Sequence, residues 1–395
     1  MVVDHDPSET SSSGPANLAD WRALGYLVRV TTERLTYPVE GMHRAILQRW
    51  LGMAGTRANT GRRLADGMTA SVYQAIRLGG RAVGTAISIG ARLVSERATV
   101  RPLWETTRGR YVQSIFNGVW GDRFEEDGSQ FRIELGLRDR DGALLPTSPA
   151  SLSRAFPRPT GRLVILLHGL GETERCWQSD DSPDLSEGLE ADGFSVLRVR
   201  YNTGLAVSET GSDLARVVEE IRLSWPVPVD EVALIGHSMG GLVIRSSVDA
   251  ARAMGLPWVE LVRHLVAIGT PHLGSPIEKG VKIVGDGLGL FNETRPLRTF
   301  LEQRSAGIKD MGGINPQFGH LDAIDDHIVA GVVTRRPSHP LGLLLGDLVV
   351  RVGSATGGGR VGASDVLIAG GRKHADLIND QEVISRIRAW LTAGS

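Results

Sequence analysis

The spacing of apolar positions divides the chain into two regions of different predicted structure. From Trp21 onward, apolar side chains recur every three or four residues, which predicts amphipathic helices. Pro38 separates two shorter helical stretches, and a long helix rich in Ala and Gly is predicted over residues 68–97. We therefore expect a helical N-terminal region over residues 21–110. The acidic, Ser-rich residues 1–20 before it are predicted to be a disordered tail.

Two interpretations of the helical N-terminal region stay open. Its apolar stripe, which includes Val72, Ile76 and Val83, could pack as a cap on the rest of the protein. Alternatively, the region is an amphipathic, Arg-bearing surface that docks on an anionic membrane or on a partner protein. Residues 1–110 contain fifteen Arg and no Lys against nine acidic residues, so this part of the chain is basic.

After residue 110 the pattern changes to short apolar runs of the kind found in strands. We predict strands over residues 111–120 and 130–137, the second from its alternation of apolar and polar residues. The uninterrupted apolar run Leu163–Leu167 predicts a strand that is buried on both faces. From residue 162 strands and helices alternate, which predicts a doubly wound, mostly parallel sheet as the core of a domain over residues 111–395. The further predicted elements are strands at 195–199, 232–235 and 328–333 and helices at 212–223 and 380–393.

The predicted strand at 232–235 leads into a Gly-rich turn that contains a serine. Gly236-His-Ser-Met-Gly240 has the G-x-S-x-G spacing of a nucleophile elbow, a sharp strand-to-helix turn with Ser238 at its apex. Gly236 and Gly240 leave room where the strand and the helix crowd together, and the helix N-terminus places positive partial charge near the serine. The pattern favours a nucleophile over a solvated serine in a Gly-rich turn.

Three motifs together resemble those of a known family. Gly236–Gly241, His168–Leu170 and Gly269–Ser275 are similar to motifs of bacterial lipases and of GPI inositol-deacylase-like (PGAP1-like) α/β-hydrolases. The resemblance covers about residues 115–392 and implies the α/β-hydrolase fold. Four further short segments resemble motifs of a narrower group of bacterial α/β-hydrolases, whose substrates are largely undefined. These segments lie at residues 117–122, 201–202, 225–228 and 304–308.

The resemblance also implies an oxyanion hole and a catalytic base. The oxyanion donors are the backbone N–H groups of Leu170, in the loop after the first core strand, and of Met239, the residue after the nucleophile. In this fold the catalytic residues follow the chain order serine, acid, histidine. His374 is then the base, because it is the only histidine beyond residue 340. We interpret His168 as a structural residue of the oxyanion loop.

The catalytic acid is predicted at Asp347. Gly346–Val350 resembles the family's Gly-Asp-Gly-Leu-Val stretch, although Leu348 follows the acid directly, so either the family's second glycine is replaced or the segment is shifted. Each of the other candidates could instead cap a helix or a turn. The alternatives left open are Asp365, Asp325 and Asp326.

A glycine-rich insertion separates the Gly-Thr-Pro-His motif from the strand at 328–333. We predict a lid over residues 276–320, in which Leu288, Leu290 and Phe291 cover an acyl chain. The alternative is a fixed helix that belongs to the core.

Composition and charge exclude several function classes. The chain of 395 residues is 41% apolar and 23% charged, as in soluble globular proteins, and its net charge of -1 gives no sign of a nucleic-acid partner. The single cysteine, Cys176, excludes internal disulfides and is interpreted as a small core residue rather than a reactive thiol. Neither a signal peptide nor a spanning helix is predicted, so we expect a cytoplasmic protein with peripheral membrane contact as an option. The acidic residues 322–326 lack an EF-hand pattern, and no metal or cofactor is expected.

Together these features predict a serine hydrolase that cleaves carboxylic esters, in particular those of acyl lipids. Ser238, His374 and Asp347 would form the triad of an acyl-enzyme mechanism. A thioesterase or an acyltransferase would carry the same residues. A protein that tethers a membrane or a partner through its N-terminal helices, without catalysis, is the alternative from another class. The intact elbow, oxyanion loop and late histidine favour the enzyme.

Overall fold

A computed structural model of the protein describes most of the chain beyond residue 58. The chain divides into two compact units, a smaller one of residues 1–110, 129–131 and 284–303 and a larger one of the remaining residues. The predicted tail over 1–20, most of the predicted lid over 276–320 and the lid residues Leu288, Leu290 and Phe291 lie outside the described residues. The described residues are 25–26, 28–29, 31–33, 36–37, 40, 59–94, 106–129, 131–178, 184–274, 305–311, 323–359 and 361–393.

One seven-stranded sheet is found among the described residues of the larger unit. Its strands are β1 Gly136–Arg138, β2 Arg162–Leu167, β3 Ser195–Arg200, β4 Glu231–His237, β5 Val262–Ile268, β6 Asp325–Val332 and β7 Asp365–Gly370. Their order in the sheet is β1-β3-β2-β4-β5-β6-β7, and all neighbours are parallel except β1 and β3. The order reverses between β2 and β4. In doubly wound sheets ligands bind at the carboxyl ends of the strands beside such a reversal.

Helices precede and separate the strands. The α-helices are α1 Asn59–Val94, α2 Thr107–Glu126, α3 Pro149–Ala155, α4 Leu185–Ala191, α5 Val207–Ser224, α6 Met239–Met254, α7 Ala306–Asp310, α8 Pro340–Leu345, α9 Val352–Ala355 and α10 Gln381–Thr392. Short 3-10 helices lie at Glu174–Trp177, Pro257–Leu261, Gly357–Gly359 and His374–Asn379.

The sheet is buried on both faces because its central strands carry apolar side chains on both sides along most of their length. In β2, Leu163, Ile165 and Leu167 belong to one buried cluster, which includes residues of α5 and α6. The alternate residues Val164 and Leu166 belong to a second cluster, which includes residues of α4 and α10. Each fully buried aliphatic side chain contributes about 1.5–3 kcal/mol to stability. The doubly wound, mostly parallel sheet confirms the predicted fold class.

The prediction of a strand over residues 111–120 is wrong, because these residues lie in α2. Their apolar residues recur in adjacent pairs every four positions, which is the spacing of a helix and outweighs their β-branched and aromatic content. The strand predicted over 130–137 is replaced by the three residues of β1. The apolar pairs are Tyr111 and Val112, Ile115 and Phe116, and Val119 and Trp120.

Helix α1 in the smaller unit corresponds to the helix predicted over residues 68–97. Two of its arginines form ion pairs within this unit. Arg77 Nη1 lies 2.5 Å from Glu40 Oε2, and Arg81 Nη2 lies 2.6 Å from Glu33 Oε1. None of the described helices is both long enough and apolar enough to span a membrane.

A buried ion pair joins helix α6 to the start of β6. The guanidinium of Arg245 donates to both carboxylate oxygens of Asp326 at 2.9 and 2.6 Å, and its Nε donates to Nε2 of His272 at 2.9 Å. Burial, followed by the charge of Arg245, lowers the pKa of His272 to about 3, so the ring is neutral and accepts this bond. Asp326 therefore neutralises a buried arginine, which is a structural role.

We expect Asp326→Ala to lower the free energy of unfolding by about 3–5 kcal/mol, because Arg245 would be left buried without its counter-charge. Urea denaturation measures the change. Asp325→Ala is the matched control, since the side chain of Asp325 is 64% exposed and its loss should change stability by no more than about 0.5 kcal/mol. Equal effects of the two substitutions would contradict a structural role for the ion pair.

Candidate active site

Ser238 lies at the apex of the turn between β4 and α6 and has a strained backbone. Its φ and ψ are 52° and -120°, a region that non-glycine residues rarely adopt. A Cβ placed on Gly236 would lie 2.4 Å from the carbonyl carbon of Gly240, and a Cβ on Gly240 would lie 2.6 Å from the carbonyl oxygen of Leu167. Both positions therefore require glycine, as the elbow motif predicts.

His374 and Asp347 meet at the same edge of the sheet as Ser238. His374 follows β7, Asp347 follows β6, and His374 Nδ1 lies 2.7 Å from Asp347 Oδ2. The other carboxylate oxygen, Oδ1, accepts the backbone N–H groups of Val349 at 2.9 Å and Val350 at 2.7 Å. One oxygen thus orders the acid loop while the other orients the imidazole. This arrangement assigns the proton of a neutral His374 to Nδ1 and leaves Nε2 as a base.

The structure distinguishes between the acids that the sequence left open. Asp365 lies at the start of β7, at the opposite edge of the sheet, where its Oδ2 accepts from Trp390 Nε1 at 2.8 Å. Asp326 is paired with Arg245. Among these candidates Asp347 is the acid that is hydrogen-bonded to His374.

His374 Nε2 is buried and has no hydrogen-bond partner among the described residues. The structure thus joins Asp347 and His374 by a hydrogen bond. It shows no hydrogen bond between Ser238 and His374. Such nucleophile–base bonds are often long or poorly aligned before substrate binds.

The loop after β2, in which the first oxyanion donor is predicted, is ordered by hydrogen bonds to the Gly169 carbonyl. The carbonyl oxygen of Gly169 accepts from His168 Nδ1 at 2.9 Å and from the N–H of Glu172 at 3.2 Å. Burial lowers the pKa of His168 to about 4, so the ring is neutral, with its proton on Nδ1. His168 therefore orders the loop, as predicted. Met239 is the first residue of α6, where backbone N–H groups have no partner within the helix.

Comparisons with known proteins identify the family. Residues 164–387, more than half of the chain, match the family model described as "Alpha/beta hydrolase family". The chain belongs to this family. No curated protein matches it at a significant level.

Solved structures with this fold are similar to the chain only at a distance. The lipase BlEst2 of Bacillus licheniformis, in mature form, is 20% identical over 59% of this chain and 94% of that chain, with a TM-score of 0.43. The RedJ thioesterase of Streptomyces coelicolor is 18% identical over 60% and 92%, with a TM-score of 0.35. An esterase of Pyrococcus furiosus is 18% identical over 59% and 82%, with a TM-score of 0.37. Similarity at this level carries no argument about substrate.

Glu172 is a site residue that the sequence did not reveal. Its Oε2 accepts the N–H of Gly169 at 2.7 Å and lies 2.9 Å from His237 Nδ1. Burial by itself would raise the pKa of Glu172, but the charge and hydrogen bond of His237 and the N–H of Gly169 together outweigh burial and lower the pKa to about 2. The only sequence signal was its position three residues after Gly169, where a side chain can turn back to the loop backbone.

Three of the sequence segments noted above, at residues 117–122, 201–202 and 304–308, converge beside the predicted oxyanion donors. Ser305 Oγ donates to the carbonyl of Gly118 at 2.6 Å, and Asn202 Nδ2 donates to the carbonyl of Gly121 at 2.9 Å. A Cβ on Gly118 would lie 3.4 Å from Leu170 Cδ1, and a Cβ on Gly307 would lie 2.9 Å from Met239 Cε. These segments are far apart in the chain, so their meeting could not be read from the sequence.

The remaining candidates are the single cysteine and a metal site. Cys176 packs against the second buried cluster and its thiol is hydrogen-bonded to the side chain of Glu172; burial, followed by the charge of Glu172, raises the pKa of the thiol well above its ordinary value. The described residues contain no group of three or more His, Cys, Asp or Glu side chains that could hold a metal ion.

Leu348, which follows the acid directly, has a left-handed backbone. Its φ is 79° and its side chain is exposed. The turn that presents Asp347 to His374 thus needs the conformation that glycine adopts freely, and here a leucine adopts it at a cost.

We expect Leu348→Gly to raise the free energy of unfolding by about 0.5–1 kcal/mol. Removing the left-handed strain contributes about 1–2 kcal/mol, and the greater flexibility of unfolded glycine offsets about 0.5–1 kcal/mol. Leu348→Ala is the control, because it removes the exposed side chain and keeps the strain. The measurement is urea denaturation of both variants. A glycine variant no more stable than the alanine variant would show that the turn is not strained.

Proposed function

We propose that the chain is a serine hydrolase that cleaves carboxylic esters through an acyl-enzyme on Ser238. The observation that carries the proposal is the 2.7 Å hydrogen bond between His374 and Asp347, with Nε2 of His374 left unpartnered among the described residues. A base oriented in this way, beside a strained serine on an elbow, is the arrangement that nucleophilic acyl transfer requires.

The reaction follows from the positions of these groups. His374 Nε2 takes the proton of Ser238 as Oγ attacks the carbonyl carbon, and Asp347 stabilises the imidazolium. The N–H groups of Leu170 and Met239 stabilise the oxyanion of the tetrahedral intermediate. His374 then gives its proton to the leaving alcohol as the C–O bond breaks. Water attacks the acyl-enzyme with His374 as base, which releases the acid and restores Ser238.

The triad is tested by ester turnover in three variants. Ser238→Ala should reduce kcat about 10³-fold or more, and Asp347→Asn should reduce it about 10²–10⁴-fold because the imidazole loses its partner. Asp365→Asn is the matched control, since Asp365 contacts Trp390 at the far edge of the sheet, and it should leave kcat unchanged. Turnover near the wild-type rate in Ser238→Ala would overturn the proposal, and a larger loss in Asp365→Asn than in Asp347→Asn would overturn the assignment of the acid.

We also propose that the substrates are acyl lipids reached through peripheral contact with a membrane. The support is one face of α1, where Val72, Ile76 and Val83 are 57%, 44% and 52% exposed. At helical spacing these three positions lie within a narrow stripe, as in helices that rest in a lipid interface. Arg77 and Arg81 are paired with acids, so the apolar stripe rather than these arginines is expected to supply the affinity.

Vesicle co-sedimentation tests this contact. Changing Val72, Ile76 and Val83 to Ser should weaken binding to vesicles of anionic and zwitterionic phospholipid, because the apolar stripe is lost. Leu78→Ser with Ile89→Ser is the control, since these exposed residues lie on another side of the helix. Both variants should hydrolyse a soluble ester at the wild-type rate. Equal binding by the two variants, together with faster turnover of p-nitrophenyl acetate than of p-nitrophenyl decanoate, would contradict this proposal. The protein would then be an esterase of small substrates.

Other roles of the same residues are outcomes of these tests. A thioesterase would prefer an acyl thioester, and an acyltransferase would pass the acyl group to an added alcohol rather than to water. A tethering protein without catalysis would bind vesicles and show no turnover that depends on Ser238. Within the family, we propose that the chain lies in the GPI inositol-deacylase-like group, and the motif Gly269–Ser275 supports this placement.

A further inference from the structure

We propose that Glu172 and His237 form a positioning ion pair, in which His237 is an imidazolium. The pair holds the oxyanion loop after β2 and the loop after β7 that carries His374 against the nucleophile elbow. The proposal rests on the proposed hydrolase function of this site. Neither residue is part of the Ser238–His374–Asp347 set. Their role would be to fix the direction of a backbone N–H that stabilises the oxyanion.

Glu172 joins the oxyanion loop to the elbow through a single oxygen. Its Oε2 accepts the N–H of Gly169 at 2.7 Å and the Nδ1–H of His237 at 2.9 Å. Gly169 belongs to the oxyanion loop, and His237 is the residue before Ser238. On its other side, the backbone carbonyl of Glu172 accepts a hydrogen bond from Ser114 on α2. Glu172 is therefore held by hydrogen bonds both to its side chain and to its backbone.

The orientation of the Gly169–Leu170 peptide decides whether the Leu170 N–H can reach an oxyanion. In a trans peptide the C=O and the following N–H point in opposite directions. His168 Nδ1 and the N–H of Glu172 both donate to the Gly169 carbonyl, which directs the Leu170 N–H to the other side. Glu172 thus acts on this peptide through its backbone and, one residue earlier, through its carboxylate.

The loop and the elbow are in close contact, so a small displacement would matter. A Cβ placed on Gly169 would lie 3.1 Å from Ser238 Cβ and 3.2 Å from His237 Nδ1. Displacements of about 1 Å in a reacting geometry can cost on the order of 10²-fold in rate.

Both ring nitrogens of His237 face acceptors, and the imidazolium is the state of the ring that donates to both. Nδ1 faces the carboxylate of Glu172, and Nε2 lies 3.4 Å from the backbone carbonyl of His374. A neutral imidazole carries one N–H and could donate to only one of them, whereas an imidazolium donates to both. The rings of His237 and His374 are also in contact, with centroids 4.8 Å apart.

The charges around His237 favour this protonation state. Burial would lower the pKa of His237, but the charge and hydrogen bond of Glu172, the backbone carbonyl of His374 and the charge of Asp347 together outweigh burial, so the pKa is raised. Because its folded pKa is raised, His237 stabilises the fold fully below its ordinary value of 6.5, and this contribution is lost as pH rises through the folded value. The contribution of Glu172 is present above its ordinary value of 4.5 and is lost as pH falls towards about 2. The titratable groups that face His237 are Glu172, His374 and Asp347.

A second buried ion pair nearby provides the matched control. Glu174 lies two residues after Glu172, and its carboxylate accepts two hydrogen bonds from Arg200 at 2.6 and 2.5 Å. This pair has no hydrogen bond to the elbow or to His374. Glu174→Gln therefore breaks a buried ion pair by the same chemical change as Glu172→Gln, without removing a hydrogen bond to Gly169 or His237.

The kinetic test compares these two variants on a soluble p-nitrophenyl ester. Glu172→Gln should lower kcat about 10–100-fold with KM within about twofold, because a transition-state donor is displaced while substrate binding is kept. As pH rises, the kcat of this variant should also begin to decline at a lower pH than that of the wild type, because His237 without its counter-charge loses its proton at a lower pH. Glu174→Gln should lose stability and keep its kcat. Equal losses of kcat in both folded variants would mean that the Glu172–His237 pair is merely structural, which overturns the proposal.

A second measurement does not depend on turnover. With histidine labelled at ¹³Cε1, the signal that disappears in His237→Asn reports the charge of His237 during a pH titration of the wild-type protein. An imidazolium signal that persists above pH 7, and that titrates at lower pH in Glu172→Gln, supports the pair. A neutral His237 at pH 7 overturns it even if Glu172→Gln fails to fold. If the imidazolium is found in a protein that hydrolyses no ester, the proposed function fails and the ion pair stands.

Discussion

Strand β4 and helix α6 approach each other so closely at Ser238 that no side chain fits at Gly236, and the end of β2 leaves no room for one at Gly240. This close approach forces the serine into its strained backbone conformation and exposes the helix N-terminus beneath it. It also determines what lies beside the serine. The carbonyl groups of Leu167 and His168 are the atoms nearest to a Cβ on Gly240, so the end of β2 is pressed against the elbow. The oxyanion loop starts at that point, and its position is a consequence of the same crowding.

The ionisable side chains around this site lie in pairs, and each pair joins two loops or elements. Asp347 and His374 join the loops after β6 and β7, Glu172 and His237 join the oxyanion loop to the elbow, and Arg245 and Asp326 join α6 to β6. A buried charge costs several kcal/mol unless it is paired and hydrogen-bonded. The pairs therefore fix the relative positions of the loops more strictly than apolar contacts would, because a shift that separates a pair leaves a charge unsatisfied. Such fixed dipoles and charges are what electrostatic stabilisation of a transition state requires.

The sequence predicts the parts of the site that depend on local patterns. The elbow at Ser238 and the loop at His168–Leu170 follow from apolar strands that end in glycine-rich turns, and His374 follows from chain order. Asp347 depended on resemblance, because an isolated Asp near Gly346 has no local signature that separates it from Asp365. Its contact with His374 and the left-handed backbone of Leu348 become visible only in three dimensions.

The features that the sequence missed arise from tertiary contacts or from conflicting local signals. Glu172 acquires its role through a partner sixty-five residues away, a distance in the chain that no periodicity reports. The prediction of a strand over 111–120 failed because β-branched and aromatic residues also occupy helix α2, whose apolar pairs recur every four residues. The exposure of Val72, Ile76 and Val83 likewise depends on which face of α1 is packed, and the pattern alone allowed either interpretation.

The central claim is that Ser238 is a nucleophile activated by its surroundings. The most direct measurement is labelling of the purified, folded protein with a fluorophosphonate, followed by mass spectrometry of its peptides. The account predicts one label per chain, on the peptide that contains Ser238, and no label in Ser238→Ala. A folded wild-type protein that takes up no label, or that carries it on another residue, would contradict the account.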